Sequence, residues 1–169
     1  MMNYLLSTLI VGVGATLVMD LWGIARQRLL GMTAANYALV GRWLGWMPHG
    51  RFRHESIALA PPVRHERLIG WTAHYLIGIL FAGVLLLVCG IAWIDEPTIV
   101  PALLVGLGTV TAPFLLMQPG MGAGIAASRT PHPTAARVQS LITHAVFGVG
   151  LYSSGLLAKL ASAAVARLA

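Results

Sequence analysis

Charge is what this chain has least of: eleven basic and five acidic side chains serve 169 residues, or 9% charged residues against 57% hydrophobic ones. So few cannot cover the surface of a soluble domain of this length. A mean hydropathy of +0.79 points to lipid as the solvent. Cys89 is the single cysteine, which excludes an intramolecular disulfide and leaves the redox compartment open. Basic residues are missing ahead of the first apolar run, and Asp20 stands near its end, where a signal peptidase site would be small and neutral. That run is expected to be retained.

Soluble-enzyme motifs are absent as well. "HERLIG" at His65 has Ile69 where a zincin needs its second histidine, and "GMGAG" at Gly120 lacks the Lys and Ser/Thr of a phosphate loop. The short alternating segments of a membrane barrel are also lacking, so helices are expected to satisfy the backbone in lipid.

What is present is four continuously apolar stretches, near Asn3–Ile24, Leu68–Ile94, Ile99–Gln118 and Val138–Leu157. Each is long enough for a hydrocarbon layer that takes about 20 helical residues. The expectation is a single all-α domain over residues 1–169, a polytopic membrane protein with four transmembrane helices in a bundle. Loops 25–67 and 119–137 are predicted to be cytoplasmic, because Arg26, Arg28, Arg42, Arg51, Arg53, Arg64, Arg67, Arg129 and Arg137 fall there. The hairpin between spans two and three holds Asp95 and Glu96 and no base. Both termini then fall outside the cytoplasm, with Lys159 and Arg167 mildly opposed.

The pI near 10.5 would suggest nucleic acid in a soluble chain, but bases beside membrane spans follow from topology and anionic headgroups. No nucleic-acid partner is expected. In the first loop, "TAANYALVGRWLGWM" offers an N-cap at Thr33 and then Tyr37, Val40, Trp43, Leu44 and Met47 at helical spacing. An interfacial helix is predicted there, with Trp43 and Trp46 at headgroup level.

Asp20 is the residue that needs explaining, since a carboxylate at mid-bilayer costs at least ~2.5 kcal/mol on an isolated helix. It lies six residues before Arg26, roughly 9 Å along the helix. His74 and His144 each follow an arginine by seven residues, about 10 Å inside the same face. Asp20, His74 and His144 are therefore predicted to form one proton or ion centre, with Glu66, Gln118 and Thr111 at its cytoplasmic mouth. Gly12, Gly70, Gly78 and Gly148 recur at four-residue spacing with these polar groups and are expected at helix contacts. A purely structural reading stands beside this one, with Asp20 fixing helix packing through a hydrogen bond worth about 0.6 kcal/mol.

"HYLIG" and "HAVFG" set His and Gly four apart at matched depth, and "GVGAT" beside "GLGTV" extends the likeness to the first and third spans. Two parallel hairpins related by an axis along the membrane normal would produce this pattern. A carboxylate beside two imidazoles suits a proton-linked carrier of a small solute or ion. The same set could hold a metal ion, softened by Met19, Met117 and Met121, or the two histidines could ligate haem b. A non-catalytic accessory subunit is the remaining class. Four helices enclose little volume, so a homodimer or a membrane partner subunit is expected for transport.

The strings "GxxxxLxMDLW" from Gly12, "GWxxHYxxG" from Gly70, "MQPGMGxG" from Met117 and "HxxFGxGLY" from His144 resemble a family of small bacterial inner-membrane proteins known only as a domain of unknown function. The resemblance implies a four-helix protein of the bacterial inner membrane. It implies no activity, so function has to be argued from the site.

Overall fold

The computed structural model describes residues 4–33 and 35–168, and among them the chain forms helices and turns with no strand. Asn3, the expected start of the first span, lies outside the described residues, as does the side chain of Arg167. Four helical stretches are long and apolar enough to cross a membrane: Tyr4–Leu30, Glu66–Cys89, Ile99–Met121 and Pro133–Ala163. Their outer faces carry the apolar residues. Leu76, Leu80, Leu87 and Val88 are 60, 64, 75 and 74% exposed, a surface that a soluble monomer does not present.

Helix α1 spans Tyr4–Leu30, six residues beyond the sequence expectation. Its stop is Gly31 at φ 64°, where the Met32 amide donates back to the Arg26 carbonyl in a Schellman closure. Helix α2, Tyr37–Trp46, begins not at Thr33 but at Asn36, whose Oδ1 accepts from the Ala38 amide at 3.1 Å. Helix α3 covers Glu66–Cys89 and ends at Gly90, φ 78°. The sequence expectation carried this span to Ile94. Instead Ile91–Ile94 forms a 3₁₀ turn that folds Trp93 and Ile94 into the core.

The third apolar stretch is not one regular helix. Helix α4, Ile99–Gly108, gives way to a π turn at Pro113–Met117 and then to the short α5, Gln118–Met121. Pro113 has no N–H to give, so the Thr109 carbonyl takes the Ala112 amide while the Gln118 amide reaches back to Pro113. Helix α6 starts at Pro133, five residues before the expected span, and runs to Leu168.

Helix α1 packs against α3 and α6, and α6 also packs along α4. Glycines set these distances. A Cβ on Gly12 would collide with the Ile79 backbone of α3, and one on Gly106 with Gly148 of α6. The close-packed core, Val11, Ala15, Ala82, Leu85, Phe147 and Leu151 among others, fills the end of the molecule away from α2. The other end is emptier, and the site lies there.

Candidate functional site

The roof over that end is α2, which crosses α3 where Gly41 meets Gly70; a Cβ on either would run into the other helix's backbone. Gly70 thus packs helices, but against the loop helix and not against another apolar span. Arg42 fastens the crossing with two parallel bonds to Glu66, Nε to Oε2 at 2.8 Å and Nη2 to Oε1 at 2.9 Å. Its Nη1 also donates to the Ala60 carbonyl at 2.9 Å. Trp43 and Trp46, expected at headgroup level, donate their indole N–H groups to the Phe52 and Pro61 carbonyls and pin the rest of the loop to α2.

Beneath α2 lies a cavity of about 750 Å³. Residues from α1, α2, α3, α5, α6 and the π turn line it, including Arg26, Asn36, His74, Gln118, Gln139 and His144 at polar points and Met19, Ile77, Phe81, Met117 and Phe147 at apolar ones. Both histidines of the expected centre therefore face one space. Asp20 does not line it.

Asp20 stands behind His74. Its Oδ1 is 2.9 Å from His74 Nε2, and its Oδ2 accepts from the Tyr75 hydroxyl at 2.9 Å. An ionised carboxylate is acceptor only, so Nε2 carries the proton of the neutral ring and Nδ1 is left as the acceptor nitrogen. Tyr37 of α2 stacks on the imidazole, with ring centroids 4.1 Å apart and planes 26° apart, and Trp71 meets its edge at 5.8 Å. Burial, and after it the Asp20 carboxylate, pushes the Tyr37 phenol above its ordinary range, so this cover stays neutral.

His144 does not join Asp20. Its Nδ1 lies 2.8 Å from Thr109 Oγ1, and that hydroxyl already donates to the Gly106 carbonyl at 2.6 Å. One hydroxyl has one proton, so His144 Nδ1–H is the donor and Nε2 is the free nitrogen. The two histidines thus offer the cavity opposite ring nitrogens.

The expected mouth is rearranged. Glu66 is held by Arg42 and by the Val63 amide at 3.1 Å and is absent from the cavity lining. Thr111 is exposed, with its hydroxyl spent on the Gly108 carbonyl; the π turn shifts the helix face, and Thr109 takes the inward position. Gln118 does line the cavity, and its Oε1 is buried without a partner. Gly12, Gly78 and Gly148 sit at helix contacts, facing Ile79, Thr16 and the Ala102–Leu103 backbone.

Asp20, His74 and His144 do not converge as a ligand set. Among the described residues no three His, Cys, Asp or Glu side chains group closely enough to hold a metal ion. Ligating haem through Nε2 of both histidines would require His74 to leave Asp20. Sequence reasoning missed Tyr75, Tyr37, Thr109, Arg26 and Gln139. Tyr75 adjoins His74 in "HYLIG", but an adjacent residue points off a helix face, and Arg26 was assigned to topology alone.

Residues 9–158 match the family described as a protein of unknown function, DUF2938. The chain belongs to that family. No curated protein matches it, and no solved structure does. Family membership brings no reaction with it, so the functional argument rests on the cavity and the Asp20–His74 pair.

Proposed function

We propose that this is a four-helix protein of the bacterial inner membrane, and that it binds and carries a small solute in the cavity while a proton moves at the Asp20–His74 pair. One observation carries the reading: His74 faces the cavity and hydrogen-bonds, through its other nitrogen, a carboxylate that does not. A ligand that protonates or releases Nδ1 changes the charge felt by Asp20 across a single ring. The groups facing His74 are Asp20 from α1, Tyr75 and Trp71 from α3 and Tyr37 from α2; only Asp20 can compensate an imidazolium. In this reading the transporting form is a homodimer or pairs with a membrane partner subunit, because four helices enclose little volume.

The arginine-rich first loop supports a cytoplasmic position for α2 and for the roofed end of the cavity. In this placement α2 lies along the headgroup region. Bound solute would enter beside Gly31, Met32, Thr33 and Asn36, which line the cavity between α1 and α2.

The test uses proteoliposomes with a trapped pH dye, challenged with membrane-impermeant alkyl sulfonates of graded chain length. Sulfonates carry no titratable proton of their own. Wild-type protein is expected to acidify or alkalinise the lumen with at least one of them, and Asp20→Asn to bind the same compound without moving protons. Wild-type and Asp20→Asn vesicles that behave alike across the series would overturn the reading.

A further inference from the structure

We propose that the solute is a single-chain amphiphile with one anionic oxygen head group, a carboxylate or a phosphate monoester, whose head sits at Arg26 and whose chain points toward Phe81 and Phe147. This rests on the reading of the cavity as a solute site and names the class of solute.

The charge argument starts from Arg26. Among the described residues the ion pairs are Arg42 with Glu66 and His74 with Asp20, and Arg26 belongs to neither. Its Nη1 donates to Gln139 Oε1, a neutral amide, and its Nε is buried with no partner. A half-buried guanidinium whose Nε is shut off from water without a partner and whose Nη1 meets only an amide is under-compensated, and a bound anionic oxygen would supply what is missing. Gln118 brings a second unsatisfied polar end into the same space, and a half-turn of its amide would present N–H donors to that head.

The far end is apolar. Phe81 and Phe147 meet edge to face at 6.4 Å and line the cavity with Ile77. Met19 and Met117 add unbranched, polarizable side chains that adapt to a flexible chain. Arg26 and Thr16 both line the cavity and are ten residues apart on α1, so it extends roughly 15 Å along that helix. A bare inorganic anion would leave most of about 750 Å³ empty, whereas a ligand with a chain falls in the range of ordinary small-molecule sites.

The experiment measures binding of dodecanoate, dodecyl phosphate, dodecanol, acetate and inorganic phosphate to the full chain in nanodiscs of zwitterionic lipid, by native mass spectrometry. Both anionic amphiphiles are expected to bind at least tenfold more tightly than dodecanol, with acetate and phosphate undetected. A preference for one anionic head over the other identifies which source the site takes, and either is consistent with the proposal. Arg26→Gln is expected to abolish the margin over dodecanol, and Arg26→Lys to retain it. Should Arg26→Gln fail to fold, Gln118→Glu provides a second arm, weakening both anions and sparing dodecanol. Dodecanol binding as tightly as dodecanoate, or small anions binding as tightly as amphiphiles, would overturn the proposal. Arg26→Gln vesicles that lose the margin over dodecanol but still move protons, or wild-type vesicles that keep the margin but move none, tell failure of this proposal from failure of the proton-coupled reading.

Discussion

His74 and His144 are each followed by a glycine four residues on and both line the cavity, and yet they are built into opposite chemistry. His74 is bonded to a carboxylate on α1 and covered by Tyr37. His144 is bonded to the hydroxyl of Thr109, just past the end of α4, and among the described residues it pairs with no carboxylate. An imidazolium at His74 has a counter-charge 2.9 Å away; one at His144 would be a bare charge in an apolar setting. The comparison teaches that a repeated His-x-x-x-Gly frame sets where a ring sits, while the facing helix decides whether that ring can change charge.

The helix contacts on the two sides, α1 against α3 and α4 against α6, should prove equally fragile, and this gives the largest effect. Gly12→Leu drives a side chain into the Ile79 backbone, and Gly106→Leu drives one into Gly148. Backbone cannot step aside as a side chain can. Each substitution is expected to cost roughly 3 kcal/mol, and the two variants to lower the thermal midpoint in detergent to the same extent as each other. If only one of the two variants unfolds like wild type, the two contacts are not packed alike.

The partners themselves should separate next. Asp20→Ala removes two interhelical hydrogen bonds and leaves His74 and Tyr75 without an acceptor, whereas Thr109→Val keeps the shape and removes one interhelical bond, from His144, along with the local one to the Gly106 carbonyl. Intramembrane hydrogen bonds average about 0.6 kcal/mol, so losses of about 1–2 kcal/mol for Asp20→Ala and about 0.6 kcal/mol for Thr109→Val are expected. Nitrogen-15 imidazole spectra sharpen the contrast: His74 is expected to carry its proton on Nε2, toward Asp20, and His144 to carry its proton on Nδ1, toward Thr109. Thr109→Asp should bring His144 into line with His74. If the His144 ring resonances in that variant stay where they are in wild type, the facing residue is not what separates the two rings.

Much of this was legible in the sequence, because it depends on periodicity. Runs of apolar residues give the four long helices, and the four-residue spacing of glycine with polar residues picks out the inward faces of α1, α3 and α6. The failures cluster where the period changes. Counting from Gln118 at constant helical rise puts Thr111 inside, but Pro113 opens a π turn and moves Thr109 there instead. Glu66 shares a face with Gly70 and His74, yet the partner that claims it, Arg42, is twenty-four residues away on a loop helix whose docking no local pattern encodes. Arg26 and Gln139 meet across 113 positions of chain, and a composition rule that reads every arginine as a topology signal hides such a pair.

The smallest effect gives the sharpest check on the π turn. Thr109 and Thr111 are two residues apart in one apolar stretch, and both hydroxyls donate to the carbonyl three residues earlier, on Gly106 and Gly108. Only Thr109 goes on to accept from His144. Replacing an exposed threonine that satisfies itself on its own helix changes stability by under about 0.5 kcal/mol, so Thr111→Val is expected to be silent in thermal unfolding. It should also leave the His144 ring resonances unmoved, whereas Thr109→Val shifts them by removing the acceptor of Nδ1–H. A regular helix continuing through Pro113 would reverse these roles, with Thr111→Val perturbing the ring. The direction of that small difference therefore reports which helix face the widened turn delivers to the cavity.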